Sequence, residues 1–395
     1  MKQKSNKKFN NLEVSFLVIL TCVISLLVGY LIAEKKQDKV EDKTLNEFIK
    51  TYDEIIDKYY KDIDKEELLN GAVSGMLSTL DQHSVLIDQE EDENFYLYLN
   101  GSYSGIGIEI STLDNKIVVI GVIADSPAEK AGIQVGDIIK QIDDLDMEEA
   151  TTKTVSSYIR KNTEKQEFDL VVIRNEEELQ FKIKKENVVI TSVASKVFER
   201  NDKKIGYIYI SIFSSTTSSQ FAKKLKELEQ ENIDALIIDV RENTGGHLST
   251  AVSMLSMLLS QDKVMYQIEK DGKKSKYYSL GHTTYNKPVA IIQNGNSASA
   301  SEMLAASLRD NLEAIIIGEK SYCKGSVQEY NYLSNGNMYK YTTKKWLTPK
   351  GKSIDEKGIK PDIEVSLDEN YYQNPVLEND NQLETAIQKL LEKIN

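Results

Sequence analysis

From Ile205 onward, short apolar runs alternate with amphipathic ones, and this alternation constrains the fold more than any other feature. The run "ALIIDV" (Ala235–Val240) is apolar without a break up to its aspartate. That is the pattern of a strand covered on both faces. An amphipathic stretch, "SSQFAKKLKELEQE", precedes it, and "LSTAVSMLSMLLS" follows. Then come "PVAIIQ" (Pro288–Gln293), the helix-like "SEMLAASL" and the strand-like "EAIIIG" (Glu313–Gly318). Strand and helix in turn predict an α/β core with a largely parallel sheet. At 395 residues the chain exceeds one ordinary core, so two or three domains are expected.

Upstream, Gly101 to about Lys185 reads as a separate small domain. "SGIGIEI" (Ser104–Ile110) is a glycine turn entering an alternating strand, and "SPAEKAGI" (Ser126–Ile133) is a compact helix. Its serine caps, its proline suits the first turn, Glu129 completes a capping box and Gly132 stops it. Residues 45–80 read as helical, and the charged residues 34–43 as a stalk. Val14–Ala33 is a run of 20 residues without a charge, about the length that spans a bilayer. It lacks the small-residue cleavage site of a secretory signal, so an uncleaved anchor is expected. Lysines at 2, 4, 7 and 8 lean towards an internal N-terminus and an external body.

The net charge of -13 argues against nucleic acid as a partner. Two cysteines, Cys22 and Cys323, lie far apart in different regions, and no cysteine–histidine spacing suggests zinc. Neither metal nor cofactor is expected. The stretch "NGNSASASEMLAASLRD" (Asn294–Asp310) sets Ser297, Ser299 and Ser301 at alternate positions in a strand-to-helix turn. A serine there needs a neighbouring base. Of the three histidines, His83 belongs to the N-terminal helical region, away from the core motifs, while His247 follows a Gly-Gly turn and keeps a Ser-His arrangement open.

The order of "GMLSTLDQHS", "GIGIEI", "DVRENTGG", "SASASE", "KGSVQ" and "KGIKPDIEV" resembles the carboxy-terminal processing proteases, the tail-specific serine peptidases. The resemblance runs from about Tyr52 to Val365. It implies a crotonase-like peptidase core, a small PDZ domain, an N-terminal helical segment and a single transmembrane helix. It implies Ser299 as nucleophile, Lys324 as general base and Gln328 as its support. The oxyanion hole would use the N–H of Ala300 and of a glycine in "NTGG", Gly245 ahead of Gly246. Burial would lower the lysine's pKa and free its amine to accept a proton. Ser297 and Ser301 read as turn and capping residues. Tyr322-Cys323 stands where the family has phenylalanine–glycine, so a side chain replaces a glycine beside the base.

The region 101–186 resembles a PDZ domain, with Gly105, Ile106, Gly107 and Ile108 implied as the site for a substrate's free apolar C-terminus. The organisation expected is then a cytoplasmic N-terminus (1–13), a transmembrane anchor (14–33), a stalk and helical region (34–100), the PDZ domain (101–186), the peptidase core (187–367) and a C-terminal helical tail (368–395). The expected location is the cell membrane of a bacterium, single-pass, with the catalytic body outside the cytoplasm. The helices within 45–80 are a candidate homodimer surface, beside packing on the chain's own core. Two other classes stay open: a non-catalytic tail-binding protein, and another acyl-transfer enzyme on a crotonase-like core.

Overall fold

The computed structural model describes residues 43–88, 99–147, 150–162 and 164–394, with residue 97 and a few positions between 20 and 26. Most of the run Val14–Ala33 lies outside them. No helix among the described residues is long and apolar enough to cross a membrane. The chain divides into two compact units, residues 1–73 and 74–395.

In the first unit, α1 (Lys43–Lys58) and the start of α2 (Lys65–Ser78) form an apolar groove lined by Phe48, Tyr52, Ile55, Tyr59, Leu68 and Ala72. In the second, a turn at Asp81–Ser84 leads into β1 (Val85–Ile87).

The PDZ-like domain follows. β2 (Ser102–Gly105) pairs with β9 (Glu186–Val189). Between them run β3 (Ile108–Leu113), β4 (Lys116–Val122), β5 (Ile138–Ile142), β6 (Leu145–Asp146), β7 (Glu167–Arg174) and β8 (Glu177–Lys184) in one antiparallel sheet. Helices α3 (Pro127–Ala131) and α4 (Thr152–Lys161) close it. Phe168, Leu170, Val172, Ile117 and Ile142 fill its core at no more than 1% exposure, a domain interior separate from the next one.

The core is a six-stranded sheet in the order β10-β11-β12-β15-β16-β19. The strands are β10 (Val193–Arg200), β11 (Lys203–Ile210), β12 (Ala235–Asp239), β15 (Val289–Gln293), β16 (Ile315–Gly318) and β19 (Ile363–Glu364). Only the β10–β11 pair is antiparallel. Every residue of β12 and β15 is buried, as their unbroken apolar runs require. Side chains alternate across a strand, so Leu236 and Ile238 face one layer while Ala235 and Ile237 face the other. The first layer holds α5 (Thr217–Gln230), α6 (Leu248–Leu258) and α7 (Ala300–Leu312). The second is built by the C-terminal residues: after a short α8 (Glu369–Gln373), α9 (Asn381–Ile394) packs Leu383, Ala386, Ile387 and Leu390 on the sheet. Each of the two leucines and the isoleucine contributes about 1.5–3 kcal/mol by leaving water. The helical tail is thus part of the core's layering. A second, antiparallel sheet joins β1 to β13 (Val264–Lys270), β14 (Lys273–Tyr278), β17 (Ser326–Tyr332) and β18 (Met338–Leu347).

Candidate active site

β15 ends at Gln293 and α7 begins at Ala300, and the turn between them is stitched down by the two outer serines. Ser297 Oγ donates to Val240 O at 2.7 Å and accepts the Asn294 N–H at 3.0 Å. Ser301 Oγ donates to Asn243 O at 2.8 Å. Both do turn work, which leaves the middle serine. Ser299 has φ 56° and ψ -109°, a conformation that side-chain-bearing residues rarely adopt. Such strain costs of the order of 1–3 kcal/mol and persists where the surroundings enforce it. Here they do so at the start of α7, where free N–H groups and the positive end of the helix dipole concentrate. The Ala300 N–H donates to no group among the described residues.

Glu302 is the residue that the sequence reading passed over. It is fully buried, and its carboxylate collects four donors. Oε2 accepts the N–H of Ser299 at 2.8 Å and of Lys324 at 3.0 Å. Oε1 accepts Ser321 Oγ at 2.6 Å and the Cys323 N–H at 2.9 Å. One oxygen therefore fixes the backbones of Ser299 and Lys324 to each other. Burial pushes the Glu302 carboxyl above the ordinary carboxylate range, against the pull of those hydrogen bonds. Its place three residues after Ser299 is the capping-box spacing, a signal the sequence carried.

Lys324 lines the same cavity as Ser299, a space of about 500 Å³ shared with Ala300, Gly245, Gly246, His247, Gln328 and Lys340. Its Nζ makes no ion pair or hydrogen bond with a described residue. Burial, and then the charge of Lys340, hold its amine below the ordinary lysine value. Glu302 and Asp81 pull the other way. Gln328 Nε2 donates to Ser326 Oγ at 2.8 Å and Thr342 Oγ1 at 3.2 Å. Its carbonyl oxygen accepts nothing from a described residue. His247 lines the cavity with no hydrogen bond from its ring to Ser299.

His83 is not away from the core. β1 pairs with β18, setting Val85 opposite Lys340 and Ile87 opposite Met338. That pairing carries the Asp81–Ser84 turn to the base: Ser84 Oγ accepts the Thr342 N–H at 3.2 Å, and Lys324 lies near enough to help lower the His83 pKa after burial. Helical periodicity upstream could not show this, because a three-residue strand fixes it.

The "ENTGG" loop forms the opposite wall. Gly245 has φ 108°, and a methyl group there would lie 3.0 Å from Ser299 Cβ and 3.3 Å from Ala300 N. At Gly246, φ 134°, it would meet Phe213 O at 2.4 Å. Only glycine permits that approach. The Gly245 N–H already donates to Asn243 Oδ1 at 2.9 Å, whereas the Gly246 N–H donates to no described group.

In the PDZ-like domain, Gly105, Ile106, Gly107, Ile108 and Ile110 line a groove of about 350 Å³ against Val155 and Ile159 of α4. The carbonyls of Ile106 and Gly107 accept the N–H groups of Ala128 and Ile123 at 2.9 and 3.0 Å. The N–H groups of Ile106 and Gly107 donate to no described group. Among the described residues no cluster of metal-ligating side chains occurs.

A serine held in a strained turn, on one cavity with a half-buried lysine and with a PDZ-like domain in the same chain, defines a serine-type peptidase of modular build. Residues 204–365 match the model of Peptidase family S41, residues 104–184 that of the PDZ domain, and residues 29–91 that of the activating protease CtpB N-terminal domain. The chain is 35% identical over 349 residues to the carboxy-terminal processing protease CtpB of Bacillus subtilis, covering 87% of this chain and 72% of that one. It is 30% identical over 380 residues to CtpA of the same organism, covering 93% and 80%. Among solved structures, an S41 protease from Bacteroides fragilis aligns with TM-score 0.51 at 18% identity, over 85% of this chain and 92% of that one; this likeness is one of fold. The chain belongs to the carboxy-terminal processing proteases of peptidase family S41, serine-type endopeptidases.

Proposed function

We propose that the protein is a membrane-anchored endopeptidase working through a Ser299–Lys324 pair, with the PDZ domain receiving the substrate's apolar C-terminus. The observation that carries this reading is the shared Glu302 oxygen, which fixes the nucleophile's and the base's backbones beside one cavity. Neutral Lys324 takes the proton of Ser299 as Oγ attacks the scissile carbonyl. The N–H groups of Ala300 and Gly246, which donate to no described residue, receive the developing oxyanion. The C–N bond breaks as the lysine's proton passes to the leaving amine. Water, deprotonated by the same lysine, then hydrolyses the acyl-enzyme. Gln328 offers its carbonyl oxygen to orient the base without adding a charge. Val14–Ala33 serves as the anchor, with the catalytic body outside the cytoplasm.

The test is cleavage of an unstructured protein by the wild type and by Ser299→Ala, Lys324→Ala and His247→Ala. The first two changes are expected to lower the rate by at least about 10³-fold with the fold intact, since removing a nucleophile or base leaves only binding and oxyanion stabilisation. His247→Ala is expected to keep substantial activity. Loss of activity in His247→Ala with survival in Lys324→Ala would replace the lysine by the histidine.

A further inference from the structure

The loop that supplies the Gly246 N–H begins at Arg241, and Arg241 is held from two sides. Its Nε donates to both oxygens of Asp239 at 3.0 Å, and its Nη2 to Asp239 Oδ2 at 2.6 Å. Those contacts lie within the strand end itself. The others come from the far end of the chain: Nη2 donates to Asp380 Oδ2 at 2.6 Å, and Nη1 to Gln382 Oε1 at 3.0 Å. Asp380, Gln382 and Asp239 are at most 2% exposed, and Arg241 is 7% exposed. Asp380 also caps α9, its Oδ1 accepting the Leu383 N–H at 2.9 Å. Gln382 Nε2 donates to Val365 O at 2.6 Å. The Tyr207 hydroxyl completes the shell on Asp239 at 2.8 Å.

We propose that Asp380 and Gln382 are positioning residues for catalysis, latching the C-terminal helix to Arg241 and so fixing the glycine loop against Ser299. A buried guanidinium tolerates its surroundings only while its donors are matched. When a partner is lost the whole fork re-seeks acceptors, and the turn that starts at the next residue moves with it. That turn must hold its N–H within hydrogen-bond reach of the oxyanion, where small misplacements are costly. The packing of α9 thereby becomes a condition of activity as well as of stability. The inference rests on the Ser299–Lys324 reading.

The experiment compares the full-length wild type with Asp380→Ala, Asp380→Asn and Gln382→Leu, measuring kcat, KM, the pH profile and the labelling rate of Ser299 by a fluorophosphonate. The expected result for Asp380→Ala is a kcat and a labelling rate lower by roughly 10- to 100-fold, less than the full loss of an oxyanion donor. KM and the pH at which activity rises stay in place, because neither the groove nor Lys324 is touched. Asp380→Asn keeps one of the two acceptor oxygens, enough for the guanidinium or the helix cap but not both, and restores part of the rate. Should Asp380→Ala fail to fold, Gln382→Leu decides by the same readouts. Variants that melt earlier but cleave and label at the wild-type rate per folded molecule would overturn the latch. A wild type that cleaves but is labelled elsewhere than Ser299 would instead overturn the Ser-Lys reading beneath it.

Discussion

In the proposed Ser299–Lys324 pair the lysine works only as an amine, so the groups around it would decide the pH at which the enzyme runs. From β18 comes Lys340, from the turn before β1 come Asp81 and His83, and from α7 comes Glu302. The carboxylates favour the ammonium, while burial and Lys340 oppose it, and the net direction is down from the free lysine value of ~10.4. Activity is therefore expected to rise with pH through the lowered lysine pKa. Lys340→Met removes a positive charge, so the Lys324 ammonium becomes more stable and the rising limb moves to higher pH. At neutral pH kcat/KM should fall several-fold, while the alkaline plateau stays at the wild-type level. A pH–rate profile of the variant checks this; an unmoved limb would show that burial alone tunes the base. Ser299 and Lys324 were legible as candidates because each stands in a short motif, 25 residues apart (324 − 299), and both line one cavity. Lys340 and His83 were not, since the pairing of β17 with β18 brings the first to Lys324 and the pairing of β1 with β18 brings the second. At Cys323 the sequence flagged a side chain in place of a glycine, and the residue does take φ 84°, in the left-handed region.

Elements with strong local signals formed where the sequence placed them. Ser126 Oγ accepts the Glu129 N–H at 3.3 Å, and Gly132 ends α3 at φ 93°, as the capping pattern requires. The Glu129 carboxylate, however, bonds the Asp125 N–H at 2.7 Å, one residue before the cap. The alternation expected from Ile106 through β3 holds at the groove, which Ile106, Ile108 and Ile110 all line. The bulge opposite Glu109 and Ile110 takes its extra residue, Ile120, from β4 and leaves that alternation in place. That groove gives the element-scale prediction. The N–H groups of Ile106 and Gly107 donate to no described residue, so a substrate carboxylate docked there would accept them. Ile108→Asp sets a like charge beside it, which is unfavourable in a partly buried site. Cleavage of a peptide with an apolar tail is expected to slow about tenfold or more, chiefly through KM, with the domain folded. Amidating the peptide's C-terminus should slow the wild type in the same way. Equal rates for acid and amide would mean that the carboxylate goes unread.

Across the described residues, the sheet, its two helical layers and the PDZ module each bury their apolar faces, and α1 does not. α1 is a 16-residue amphipathic helix without one buried side chain. Phe48 is 45% exposed and Ile55 42%, and both line the groove shared with α2. A helix of this length is marginal in water unless its apolar face packs against something. Leaving such a face in solvent is rare in a soluble domain and marks an interaction surface. A second copy of the chain is the partner that is always at hand, and a twofold contact would cover both grooves at once. The protein from residue 40 onward is therefore expected to dimerise in a concentration-dependent way. Phe48→Glu combined with Ile55→Glu removes two apolar contacts of roughly 1.5–3 kcal/mol each. The dissociation constant should then rise by about a hundredfold or more. Sedimentation velocity over a wide concentration range reads both outcomes. A wild type that stays monomeric throughout, or a double variant that dimerises as tightly as the wild type, would assign this face to the chain's own core instead.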